Sequence, residues 1–276
     1  MTYATLMVHV ELGESNAGLL RIAGDLALRF KASVIGIATC QPIQLALSDG
    51  YVTGEVIQQD LTEIEKEMQK AEAEFRAALD PCGIELEWRS AVVFTPLCDY
   101  IAREARSADL VLTKVEHNAS VFDSSHHLSM GDLVMQAGRP ILIVPNKADA
   151  LPLGNVMIGW KETREARRAV HDALPLLRLA TEVTVVEIAQ ELELPQAKAH
   201  VKDVVAWLKR HGVAATPMAV HAAGDNALQI AMLAQELGTD LFVAGAYGHS
   251  RFREWVFGGV TRDLLLSAER CALVSH

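Results

Sequence analysis

The sequence predicts an α/β fold built as two tandem domains, each a parallel sheet with helices on both faces. Three observations carry this: short apolar runs alternate with amphipathic helical stretches, the chain repeats itself at domain size, and a polar segment with two prolines separates the halves. In the first half the pattern gives strands over 6–10, 34–39, 84–93, 110–113 and 141–144. Helices fall over 17–30, 55–79, 96–106 and 128–137. The second half opens with an apolar strand over 156–160. Thr163 then stands as N-cap before a helix over 164–177, where Ala166, Val170 and Leu174 recur at helical spacing. The β-branched run 183–186 is a strand, and the next helix aligns Val201, Val204, Val205 and Leu208 on one face until His211-Gly212 stops it. A strand over 213–220, a helix over 227–237, a strand over 241–244 and a helix over 260–268 follow. A closing apolar run mirrors the one that ends the first half.

The repeat fixes the register of the two halves. Asp109-Leu110-Val111-Leu112-Thr113 aligns with Asp240-Leu241-Phe242-Val243-Ala244 and continues without a gap to the chain's end. The segment 145–153 reads as the linker, so the domains are expected at 1–146 and 153–276. An apolar terminal strand left at a sheet edge invites pairing. Residues 141–144 and 271–274 are therefore expected to pair with each other or with a second chain.

Composition narrows the function. The 276 residues carry a net charge of −10, and half are apolar. Up to Asn146 the net charge is −9, and from Lys147 onward it is −1, so the second half is the friendlier place for an anion. The acidic balance argues against nucleic acid and anionic membranes as partners. No apolar run approaches a membrane span and no cleavable leader opens the chain, which predicts a cytoplasmic protein. Cys40, Cys82, Cys98 and Cys271 are scattered, without the pairing of a disulfide frame or a zinc site. His117, His126 and His127 share one loop but lack ligand spacing, so no metal site is assigned. Arg164, Arg167 and Arg168 lie near the expected crevice, where a solvated helix face and a phosphate-steering role are both readings. No pair of titratable residues declares an acid/base role, so no catalytic residue is named.

The chemistry concentrates in residues 241–261. An apolar strand runs into Gly245, followed by Gly248, Gly258 and Gly259, and Val260-Thr261 open a helix. Glycines at the carboxyl end of a strand let backbone N–H groups close on phosphate oxygens, and a helix N-terminus adds its positive end. The same glycines could serve only turns and helix stops.

The spacing G-x2-G-x9-G resembles the nucleotide-binding motif of the universal stress protein family, and the whole chain looks like its tandem form. Residues 158–177 and the ending Gly258-Gly-Val-Thr-Arg-Asp-Leu264 are also similar to that family. The resemblance implies two flavodoxin-like (Rossmann-like) domains. Each would be a five-stranded parallel sheet of order 3-2-1-4-5, with edge strands paired between domains. It implies ATP, or AMP or ADP, in the second domain, with Mg²⁺ carried by the phosphates. The loop residues would be Gly245, Gly248, His249, Ser250, Gly258, Gly259, Val260 and Thr261, and the adenine side Trp160, Lys161 and Ile188. Gly259 stands where many members have Ser or Thr, and Lys161 where many have Asp. That lysine would either pair with a phosphate or sit in solvent.

The four loop glycines align with Lys114, His117, His127 and Leu128 in the first half, which is therefore expected not to bind ATP in the family's manner. The expected role is stress response or signalling, with at most slow ATP hydrolysis or autophosphorylation. Two alternatives stand beside it: a scaffold of the same fold acting through an unknown protein partner, and an enzyme that activates a substrate with ATP. Homodimerisation is left open.

Overall fold

The computed structural model describes residues 2–42, 54–115, 128–246 and 270–276. The chain falls into two compact units, Tyr3–Gly138 and Arg139–His276. The first unit contains β1 (Thr5–His9), α1 (Ala17–Phe30), β2 (Ser33–Cys40), α2 (Gly54–Leu79), β3 (Leu86–Val92), α3 (Leu97–Glu104), β4 (Leu110–Lys114) and α4 (Met130–Gln136). Its sheet is parallel in the order β3-β2-β1-β4. β4 is buried along its whole length, which explains the apolar run Leu110–Leu112 that opens it.

The second unit contains β5 (Ile141–Val144), β6 (Asn155–Gly159), α5 (Arg164–Asp172), α6 (Leu174–Leu177), β7 (Glu182–Ala189), α7 (Leu194–Arg210), β8 (Thr216–His221), α8 (Asn226–Glu236), β9 (Leu241–Gly245) and β10 (Cys271–Ser275). Strands β8-β7-β6-β9-β10 run parallel in the expected 3-2-1-4-5 order. The expected terminal pairing is present. β5 lies antiparallel to β10, with Ile141 opposite Val274, Leu142 opposite Leu273 and Ile143 opposite Ala272. By contacts, the apolar run that ends the first half thus belongs to the second unit. The outer strands resist further pairing by different means: β3 carries the Glu87–Arg89 ion pair and β8 carries Pro217.

Among the differences from the sequence expectation, two have a clear local reason. The helix expected over 164–177 is two, α5 and α6, because Pro175 brings no N–H and its ring meets the carbonyl four residues back. β8 starts at Thr216 and not at 213, because the Val213 N–H closes the end of α7 on the Leu208 carbonyl at 3.1 Å after Gly212, φ +79°. The long α2 bears the apolar stripe Ile64, Met68, Ala71, Phe75 and Leu79 inward, with Glu63–Lys66 and Glu72–Arg76 ion pairs on its solvated side. Among the described residues no helix is long and apolar enough to cross a membrane.

Candidate functional site

In an open α/β sheet the ligand crevice lies beyond the carboxyl ends of the two adjacent strands from which the connections diverge. In the second unit those strands are β6 and β9. Trp160 and Lys161 follow β6 directly, Ile188 is the next-to-last residue of β7, and Gly245 ends β9. Four of the residues expected from sequence are therefore brought to one edge of one sheet. Gly248, His249, Ser250, Gly258, Gly259, Val260 and Thr261 lie outside the described residues, as do His117, His126 and His127.

Trp160 continues the ladder, its backbone N–H donating to the Val186 carbonyl at 2.8 Å. The indole is buried, and its Nε1–H meets no acceptor among the described residues. A buried donor left unpaired costs about 1–3 kcal/mol, so this group calls for an acceptor. Ile188 is half-buried and Lys161 is exposed. Thr163 caps α5 as the sequence predicts, its Oγ1 accepting from the Ala166 N–H at 3.2 Å.

Gly245 has a specific structural reason. A Cβ built there would lie 2.4 Å from the Ala166 nitrogen and 2.4 Å from the Glu165 carbonyl carbon, so the strand end abuts the first turn of α5 too closely for any side chain. Its glycine is explained by strand-on-helix contact, without appeal to a ligand.

The charges around the crevice are largely matched. Arg164 pairs with Glu165 and Arg167 with Glu162, while Arg168 reaches Asp172 at 3.7 Å. This favours the solvated-face reading of the three arginines over phosphate steering. Burial raises the pKa of the Glu165 carboxyl, but hydrogen bonds from Arg164, the backbone and Thr163 outweigh it and hold the group below the usual carboxylate range. On β7, burial pushes the Glu187 carboxyl up against the opposing pull of His200, whose Nδ1 lies 3.2 Å away. Among the described residues no group of His, Cys, Asp or Glu could hold a metal ion.

The corresponding place in the first unit is built differently. The strand registers equate Leu6 with Val156 and Leu110 with Leu241. The Val10 N–H donates to Ile37 as the Trp160 N–H does to Val186, so the match extends past the strands. Lys114 thus stands for Gly245, Glu11 for Lys161 and His9 for Gly159. The buried Lys114 ammonium lies 2.7 Å from Glu11 Oε2 and donates to the Ser15 carbonyl at 3.2 Å. The buried His9 Nδ1 lies 3.2 Å from Thr113 Oγ1. The sequence signals Lys114 through the repeat; it gives no sign of Glu11 as the partner.

No protein-family model and no curated protein matches this sequence. Solved structures do. The chain is similar to a universal stress protein from Archaeoglobus fulgidus DSM 4304, with 13% identity and a TM-score of 0.75 over 98% of this chain and 97% of that one. The chain has the universal stress protein fold. Its likeness to a functionally unknown protein from Pseudomonas aeruginosa PAO1 is similar in extent, with 13% identity and a TM-score of 0.61 over 99% of this chain and 92% of that one. Both matches run the full length, as a tandem universal stress protein fold requires.

Proposed function

We propose that the chain is a tandem universal stress protein that holds an adenine nucleotide at the carboxyl edge of the second unit's sheet. The observation that carries the reading is the pair of exchanges between the units. Where the first unit has a buried lysine tied to a carboxylate, the second has a glycine, and the carboxylate's place is taken by an exposed lysine. The exchange removes an internally paired cation and sets an exposed lysine beside the capped start of α5, a combination suited to phosphate. The buried Trp160 N–H supports the same reading, because a purine ring offers acceptor nitrogens to such a donor. On this reading Lys161 faces the phosphates, Trp160 and Ile188 the base, and the glycine loop from Gly248 to Thr261 completes the site. A bound ATP would bring Mg²⁺ on its own phosphates, since the described residues hold no metal cluster.

On this reading the role is stress response or signalling within the cytoplasm. A second reading, a scaffold of the same fold that engages a protein partner, draws on Gly245, whose glycine serves α5, and on the neutralised arginines.

Thermal unfolding with and without ATP and Mg²⁺ separates the two. A ligand at a hundredfold excess over its Kd adds about 2.7 kcal/mol, a shift of several degrees. The shift should vanish in Gly248→Trp and shrink in Lys161→Glu. No shift in the unmodified protein would leave the scaffold reading.

A further inference from the structure

We infer that the Lys114 side chain is a built-in occupant of the first unit's crevice, a strap that ties the loop after β1 to the end of β4 and leaves that place closed to ligands. The topology puts the crevice of this unit beyond the carboxyl ends of β1 and β4, which adjoin with Val8 opposite Leu112. Lys114 is the last residue of β4, and its ammonium reaches across that gap to Glu11 Oε2 at 2.7 Å and to the Ser15 carbonyl at 3.2 Å. Both partners sit in the loop that joins β1 to α1. The ammonium is buried, and a buried cation is stable only with such partners, so the contact is built in and not incidental.

The loop itself suits a permanent closure. It runs through seven residues from Val10 to Asn16, where the second unit spends four between Gly159 and Arg164. Its far end is held by Asn16, whose side chain accepts from the Glu11 N–H at 3.0 Å and donates to the Glu11 and Glu14 carbonyls at 2.9 and 3.1 Å and to Glu74 at 3.2 Å. Asn16 folds the loop upon itself and onto α2, whereas Lys114 fastens it over the sheet. The cation a nucleotide site would offer to phosphate is here satisfied internally. The inference stands whether or not the second unit binds a nucleotide.

Hydrogen exchange on the full chain tests it. Within the loop the Glu11 amide is held by the Asn16 side chain and the Asn16 amide by Glu74. Lys114→Met keeps the stem and removes the charge. It should raise exchange at these amides at least tenfold while the β2 amides stay as slow as in the unmodified protein. Unchanged loop exchange in a folded variant overturns the strap. If Lys114→Met does not fold, Glu11→Gln must loosen the same amides several-fold, and no change there is equally fatal. Adding ATP and Mg²⁺ to the unmodified protein should leave the 10–16 loop as it was. New protection in that loop would mean that the place is open, and would overturn the closure even if Arg139–His276 also became protected. If ATP protects no part of the chain, the nucleotide reading fails while the variants still decide the strap.

Discussion

The two units build the same edge of the same sheet topology by opposite means. The first fills the gap between its central strands with a lysine–glutamate pair, and the second draws β9 against the first turn of α5 so tightly that only glycine fits. Equivalent positions in a repeat can therefore differ by a whole buried ion pair without disturbing strand order. What differs is whether the carboxyl edge is satisfied from within. The first unit consumes its charges there, while the second leaves Lys161 exposed and the Trp160 indole N–H without an acceptor among the described residues.

The largest break in this comparison should come from Gly245→Ala. A methyl group 2.4 Å from two backbone atoms cannot be absorbed by a rotamer change, so β9 or α5 must move. Overpacking of this kind costs about 3 kcal/mol, or roughly 10 °C in the melting of the second unit. A melting temperature unchanged within a degree would show that the helix yields freely, and that the contact does not explain the glycine.

Next in size is the contrast between the two loops. Asn16 is buried and serves the Glu11, Glu14 and Glu74 groups, so Asn16→Ala should cost about 2–3 kcal/mol by leaving several of them unpaired. Thr163 contributes a single capping bond to α5, and Thr163→Ala should cost about 1 kcal/mol. Denaturant unfolding of both variants checks the ordering. Equal losses would mean that the longer loop owes nothing extra to its asparagine.

Much of the architecture could be read from sequence, for physical reasons. Strands covered on both faces carry continuous apolar runs, as in β5 and the Leu110–Leu112 start of β4, and helices such as α7 expose their period in Val201, Val204 and Leu208. The pairing of β5 with β10 followed from two terminal apolar runs that each needed a neighbour. The candidate site was less legible. A glycine in sequence does not say which neighbour demands it, and Gly245 answers to the Glu165–Ala166 backbone some eighty residues away in the chain. The partnerships of Lys114 with Glu11 and of Asn16 with Glu74 are equally remote, set by crossover connections and not by local spacing. Only the substitution of Lys114 for a glycine was visible beforehand, through the repeat.

The finest difference between the units is a pH response that only one of them should have. His9 is buried where the second unit has Gly159; the charged groups acting on it are Glu11 and Lys114, and the Thr113 hydroxyl lies at its Nδ1. Burial lowers the imidazole's pKa below its ordinary 6.5; Glu11 pulls it upward and Lys114 adds to the lowering. Well above pH 6.5 the histidine is neutral in both the folded and the unfolded chain and contributes no pH dependence. As the pH falls below 6.5 the unfolded chain takes up a proton that the folded one resists, so the first unit loses stability. At pH 6 this loss is bounded at about 1 kcal/mol, because the unfolded imidazole is then only part-way past its midpoint. Urea unfolding at pH 7.5 and pH 6, compared with the same pair of measurements on His9→Gln, isolates this one group from the other titrating residues. The unmodified protein should lose more stability between the two pH values than the variant does. A variant that loses as much would place the acid sensitivity elsewhere and leave His9 a packing residue alone.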